Sequence, residues 1–231
     1  MRSRFGTLLA VVAALVLLVP SLALADNSWN DYHWPGDDLA PTVADRTGGG
    51  FLVDLAVVEW AGLGTPIQPQ MTSGRRGDIT VNAKPGNIGY LGKAQIWIEG
   101  GHITKGKVEL NTIYSLTPIQ WDHVLCQELG HVLGLDHNRI DVDTCMNDIA
   151  SLGANDADSP NDHDKTELNA IYAHWADEAA GTPSGEEGTG GPNCGEKNKN
   201  AKKCRQGNGH WVTVDVFPAP SWLQPTPGPG S

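Results

Sequence analysis

The chain has 231 residues, with 16 Lys and Arg against 27 Asp and Glu and a net charge of −11 with histidines neutral. That balance argues against nucleic acid and against anionic membranes as partners, since both are bound through positive fields. The length is enough for one core-bearing domain and a tail.

Residues 1–25 read as a secretory leader. Arg2 and Arg4 open it, Leu8 to Val19 is an unbroken apolar run, Pro20 breaks the run, and Ala23-Leu24-Ala25 is an A-x-A cleavage signal. The apolar run has 12 residues, too few to span a bilayer. The mature chain is therefore expected to start near Asp26, to be secreted and extracellular, to have no membrane contact after leader cleavage, and to be a monomer. The leader carries no acidic residue, so its loss leaves the chain more acidic still. Export makes disulfides the default for Cys126, Cys145, Cys194 and Cys204. Of the three connectivities, the favoured one closes a short tail loop with Cys194–Cys204 and leaves Cys126 with Cys145.

Residues 26–42 form an extended lead-in, with Tyr32-His33-Trp34 as packing anchors. Val43 is a weak strand opening. Phe51 to Trp60 is apolar nearly all round; its length favours a buried helix, with a strand as the other reading of its Val and Leu content. Short β-like runs follow at Thr65 to Met71 and Asp78 to Asn82, separated by the Ser73 to Gly77 turn. Gly92 to Glu99 and Lys105 to Asn111 are clearer strands flanking the hairpin-like turn Gly100-Gly101-His102. Thr117-Pro118-Ile119-Gln120 is a capping box with proline at the first helical position. The helix it starts has Trp121, Leu125, Leu129 and Val132 as a core stripe. A last helix, about Asp162 to Asp177, places Leu168, Ile171, Tyr172 and Trp175 on one face. Beyond Ala180 the composition turns to Gly, Pro, Ser and Lys. Within that tail His210 to Phe217 alternates as one strand, either docked on the sheet or alone. The divisions are thus a leader at 1–25, a domain at 26–178 and a tail at 179–231 with a candidate strand at 210–217.

The stretch that carries chemistry is Gln127-Glu128-Leu129-Gly130-His131-Val132-Leu133-Gly134-Leu135-Asp136-His137. On a helix Gln127 and His131 project from one face about one turn apart. Glu128 is beside them. Gly134 can end the helix in a left-handed conformation and bring His137 back towards the same space. His123, Asp136, His102 and His163 are the other side chains able to act as ligands if the fold placed them there.

This stretch resembles the metzincin metallopeptidase motif H-E-x-x-H-x-x-G-x-x-H, with Gln127 in place of the first histidine. It is similar in particular to secreted bacterial matrixin-like proteins with a C-Q-E-x-G-H-x-x-G-L-x-H stretch and a T-C-M turn, in which Cys126 and Cys145 fall at matching positions. The resemblance covers about residues 30 to 177. It implies an α+β fold with a twisted mixed sheet, a metal helix, a methionine turn at Met146 and a C-terminal helix marked by Asp164, Leu168 and Tyr172. It also implies one catalytic Zn2+ held by His131, His137 and the Gln127 side-chain oxygen, with an affinity lowered by the weaker amide donor. Glu128 would be the general base towards metal-activated water, and Lys93, Ala94, Gln95 and Ile96 would form the edge strand that pairs with an extended substrate. The sequence departs from the family in two further respects. Asp148 stands where some metzincins carry a zinc-approaching tyrosine, and no cysteine precedes Cys126 to supply cysteine-switch latency. The reading is a secreted zinc-dependent metalloendopeptidase acting on protein or peptide substrates. The alternative is a catalytically weak or inactive exported binding protein of the same fold.

Overall fold

The computed structural model describes residues 27–36, 38–139, 143–147, 158–173, 205–207 and 210–226. The leader, Asp148, Trp175, Cys194 and Cys204 lie outside them. The described elements run β1 (Thr42–Asp45), α1 (Val53–Gly62), β2 (Gln70–Thr72), β3 (Ile79–Lys84), β4 (Tyr90–Glu99), β5 (His102–Asn111), α2 (Pro118–Val132), α3 (Asp162–Ile171), β6 (Arg205–Gly207) and β7 (His210–Pro218).

The strands form one mixed sheet in the order β2-β1-β3-β5-β4-β7-β6. The block β2, β1, β3 and β5 is parallel, and β4, β7 and β6 are antiparallel to their neighbours. This is an α+β fold. Alternation explains β4, whose residues 92, 94, 96 and 98 are buried while 93, 95 and 97 are half-buried. Gly100 and Gly101 join β4 to β5 with φ of 59° and 86°. Both central residues thus have positive φ, which two-residue hairpin turns demand and glycine supplies. The run expected at Thr65 to Met71 is a strand only from Gln70. Pro66 and Pro69 cannot donate to a ladder, and Gln68 Nε2 and Thr65 Oγ1 are spent locally on Thr65 O (2.7 Å) and Ile67 O (3.0 Å).

The expected substrate edge is not an edge. Lys93, Ala94, Gln95 and Ile96 pair with Glu109, Val108, Lys107 and Gly106 of β5 on one side. On the other side they pair with Val216, Asp215, Val214 and Thr213 of β7. An exposed edge offers a row of unpaired N–H and C=O groups, and the alternating tail strand satisfies them. Of the two readings for residues 210–217, docking on the sheet is the one the fold adopts.

Helix α1 buries Val53, Ala56, Val57 and Trp60 and exposes Leu55 and Val58, so it is a surface helix with one buried face. Its apolar run had suggested full burial. Helix α2 shows the opposite departure. From His123 to Val132 every residue is buried, because the helix crosses β4 and β5 and is flanked by α1 and β7. Helix α3 starts on Asn161, whose side chain accepts from His163 N (2.8 Å) and Asp164 N (3.2 Å). It ends at Ile171, with residues 174–177 of the expected span outside the described part. No helix among the described residues is long and apolar enough to cross a membrane.

Candidate functional site

The ends of α2 are set by sequence chemistry. Thr117 N donates to Gln120 Oε1 at 2.9 Å, and Gln120 N donates to Thr117 Oγ1 at 3.4 Å, with Pro118 following the cap. At the other end Gly134 has φ +109°. Gly134 N donates to His131 O (3.0 Å) and Leu135 N to Gly130 O (3.1 Å). That pair of bonds is a Schellman closure, which satisfies the last carbonyls and turns the chain. A Cβ at Gly134 would press on Tyr32 O. The turn thus needs glycine for space as well as for φ.

The returning chain is tied from the N-terminal side. Asp136 N donates to Asn27 O at 2.6 Å, Asn27 Nδ2 donates to His137 O at 3.1 Å, and His137 N is held by Asp136 Oδ1 at 2.7 Å. Trp29 stands edge-on to His131 with ring centroids 5.6 Å apart. His131 Nδ1 meets Leu135 O at 2.9 Å. A carbonyl accepts only, so Nδ1 carries the proton and the ring lone pair lies on Nε2. His131 and His137 have ring centroids 4.7 Å apart, tilted by 31°. Two imidazoles on one tetrahedral ion place their centroids about 5 Å apart.

Beneath the helix lies the turn at residues 143–147. Cys145 is disulfide-bonded to Cys126 of α2. Met146 N donates to Thr144 Oγ1 (3.1 Å), Asn138 N donates to Met146 O (2.8 Å), and Thr144 Oγ1 donates to Asp164 of α3. Met146 is fully buried against Gly130, where a Cβ would overlap its sulfur. Asp164, Leu168 and Tyr172 of the sequence pattern each have a structural task. Asp164 anchors the turn, Leu168 is core, and Tyr172 OH donates to Leu133 O (2.9 Å) while accepting from Trp34 N (3.1 Å). Burial pushes the Tyr172 phenol well above its usual range.

The same turn orients Gln127. Its Nε2 donates to Cys145 O (3.0 Å) and Asn147 O (3.2 Å). Both neighbours are acceptors, so only the nitrogen can face them, and its two protons are used. The oxygen is what remains, and Gln127 Oε1 is buried with no hydrogen-bond partner. A fully buried, unsatisfied carbonyl oxygen calls for a water or an ion. Among the described residues no three His, Cys, Asp or Glu side chains converge as a ligand group. An ion here needs a third donor of another kind, and the amide oxygen one turn from His131 fits that need.

Glu128 is fully buried and faces the sheet at Gly92, where a Cβ would overlap its carboxylate. Phe217 N of β7 donates to Glu128 Oε1 at 3.3 Å. Phe217 is buried, with its ring 5.7 Å from that of His123 and nearly perpendicular to it.

The alternative ligands are engaged in other contacts. His102 stands edge-on to His33 at 4.9 Å, His163 Nδ1 meets Asn138 Nδ2 at 3.2 Å, and Asp136 accepts from the backbone. Sequence reasoning missed Asn27, Trp29 and Phe217, which carry no local motif, and it missed Glu109. Glu109 on β5 is buried among Lys84, Lys93 and Lys107, each 3.0 Å away. Burial alone would raise its carboxyl, but bonds from the three ammonium groups hold it down at about 2.

No protein-family model matches the chain, and no curated protein sequence does. Among solved structures, a crystal structure of myroilysin aligns over 64% of this chain and 86% of its own, at 13% identity and a TM-score of 0.37. A second structure of myroilysin aligns over 62% and 95%, at 14% identity and a TM-score of 0.36. TM-scores of this size do not establish a shared fold.

Proposed function

We propose that the protein is a secreted, monomeric, metal-dependent endopeptidase whose ion is held by His131, His137 and Gln127 Oε1, with Zn2+ as the expected metal. The observation that carries this reading is the Gln127 amide, oriented by two carbonyls so that its buried oxygen is left over, one helical turn before His131, whose ring stands 4.7 Å from that of His137. The metzincin-like motif and the placement of Met146 under Gly130 support it. When bound, Zn2+ would supply Lewis-acid polarisation of a scissile carbonyl and acidification of a water.

The chain's own residues do the rest. His131 offers Nε2 because Leu135 O fixes its tautomer. Glu128, held in a dry place against Gly92, accepts the proton of the attacking water and returns it to the leaving amine. Met146, Cys126–Cys145 and Asp164 hold the floor of the site rigid, which keeps the donors in place without reorganisation. The substrate class is an extended protein or peptide.

Cleavage of a mixed peptide library on long incubation, followed by mass spectrometry, tests the reading. Hydrolysis is expected to stop on chelation, to return with Zn2+, and to fall at least a hundredfold in Glu128→Gln, within the span typical of general-base loss. Hydrolysis indifferent to chelation or to Glu128→Gln would refute it.

A further inference from the structure

Strand β4 is where an extended peptide would pair, and the chain already supplies a strand there. From Ile98 opposite Trp211 to Tyr90 opposite Pro218, β7 runs antiparallel along nearly the whole of β4. Past the strand Ala219 N donates to Gly89 O (3.2 Å), and further on Thr226 N donates to Ile113 O after β5 (2.7 Å).

Two contacts distinguish β7 from a strand that merely caps an edge. Its backbone N–H at Phe217 is bonded to the Glu128 carboxylate, the group assigned the proton transfers above. The Phe217 side chain, 2% exposed, lies against His123, one helical turn before Gln127. Phe217 is paired with Gly92, the position whose missing Cβ admits Glu128 to the sheet. The tail thus presents a strand backbone to β4, an amide to the carboxylate and an aromatic anchor to the helix, in one register.

We infer that β7 is an intramolecular occupant of the peptide site, with Phe217 as its anchor, and that an extended peptide binds only when β7 is displaced. This rests on the peptidase reading for the name of the site, although the exclusion itself is a matter of geometry. Two strands cannot pair with the same edge of β4, and the Phe217 N–H takes one acceptor site of Glu128 Oε1. Latency here would come from the C-terminal tail.

The test uses the full mature chain and a fluorescein-labelled synthetic peptide of residues 210–218, His-Trp-Val-Thr-Val-Asp-Val-Phe-Pro. Binding is read by anisotropy for the wild type and for Val214→Pro/Asp215→Pro. These positions are consecutive and face Gln95 and Ala94. Because N–H groups alternate in direction along a strand, one proline removes a donor to β4. The variant is expected to bind the peptide at least tenfold more tightly than the wild type, and a scrambled peptide should not compete. Equal binding by the two proteins, with the Cys126–Cys145 bond intact and the circular dichroism of the wild type, would overturn the inference. Should the variant fail to fold, a specific protease site inserted after Gly190 lets β7 be freed after folding with its own residues unchanged. Peptide binding that appears only on cutting supports the inference, and binding unchanged by cutting overturns it. Library cleavage by the same samples reports separately on the reaction. Exchangeable peptide binding with no cleavage leaves the occupant in place and removes the peptidase reading.

Discussion

Gly130→Ala is the sharpest test of how the site is built, because two effects of known size oppose each other there. In an exposed helix interior the change would stabilise by about 1 kcal/mol, since alanine loses less backbone entropy. At Gly130 the added Cβ would overlap Met146 Sδ and stand 2.7 Å and 3.0 Å from Trp60 Cζ2 and Cη2. Neither neighbour can retreat. Trp60 is buried and donates from Nε1 to Cys126 O at 3.0 Å, and Met146 is held by Thr144, Asn138 and the adjoining disulfide. Overpacking of this kind costs about 1–3 kcal/mol, and rigid neighbours place it at the upper end. The net expectation is a loss of about 1–2 kcal/mol, or a fall in Tm of roughly 2–8 °C. Urea and thermal unfolding followed by circular dichroism measure it. Met146→Ala in the same chain should recover part of the loss, with a coupling of about 1 kcal/mol or more. A Gly130→Ala protein as stable as the wild type would show that Met146 does not lie under the helix at this distance.

Three further outcomes follow from named contacts. Glu109 has its carboxyl held at about 2 in the fold against 4.5 unperturbed. Its contribution is therefore complete above pH 4.5 and lost as pH falls towards 2, and it is on the order of 2–3 kcal/mol once the half-exposed Lys84 is discounted. Urea midpoints at pH 6 and pH 3 should converge in Glu109→Gln relative to wild type, and an unchanged pH dependence would refute the lysine cluster. Replacing Cys126 and Cys145 by serine opens a loop spanning a sequence separation of 19. The expected loss is about 3 kcal/mol in the chain-entropy account, read from urea unfolding under non-reducing conditions, and no loss would argue against the bond. Tyr172→Phe removes a donor to Leu133 O and an acceptor for Trp34 N. It should cost about 1–3 kcal/mol in the same unfolding assay, because two buried backbone groups are left unpaired.

Local rules made much of this readable in advance. The Thr117 capping box, the turn at Gly134 and the glycine hairpin at 100–101 each depend on a few neighbouring residues, and the fold uses them as their chemistry suggests. What could not be read was long-range. Alternation marks residues 210–217 as a strand but carries nothing about its neighbour, and the resemblance implies an edge where β7 in fact pairs with β4. A helical stripe cannot reveal that α2 will be buried all round among β4, β5, α1 and β7. Asn27, Trp29 and Phe217 reach the site only through tertiary pairing. The Gln127 amide was legible as a weak donor, whereas its orientation depends on two carbonyls of a turn nearly twenty residues away. The motif therefore marked the place of the site, and the turn beneath it decides which atom of Gln127 is left over.

The claim on which the account stands is that these residues hold an ion. Metal analysis of the purified full chain after equilibration with buffered Zn2+ tests it directly, with His131→Ala, Gln127→Ala and Glu128→Ala alongside. Close to one Zn2+ per chain is expected in the wild type and in Glu128→Ala, with loss of it in His131→Ala and weakened binding in Gln127→Ala. No metal in the wild type, or equal metal in the wild type and His131→Ala, would contradict it.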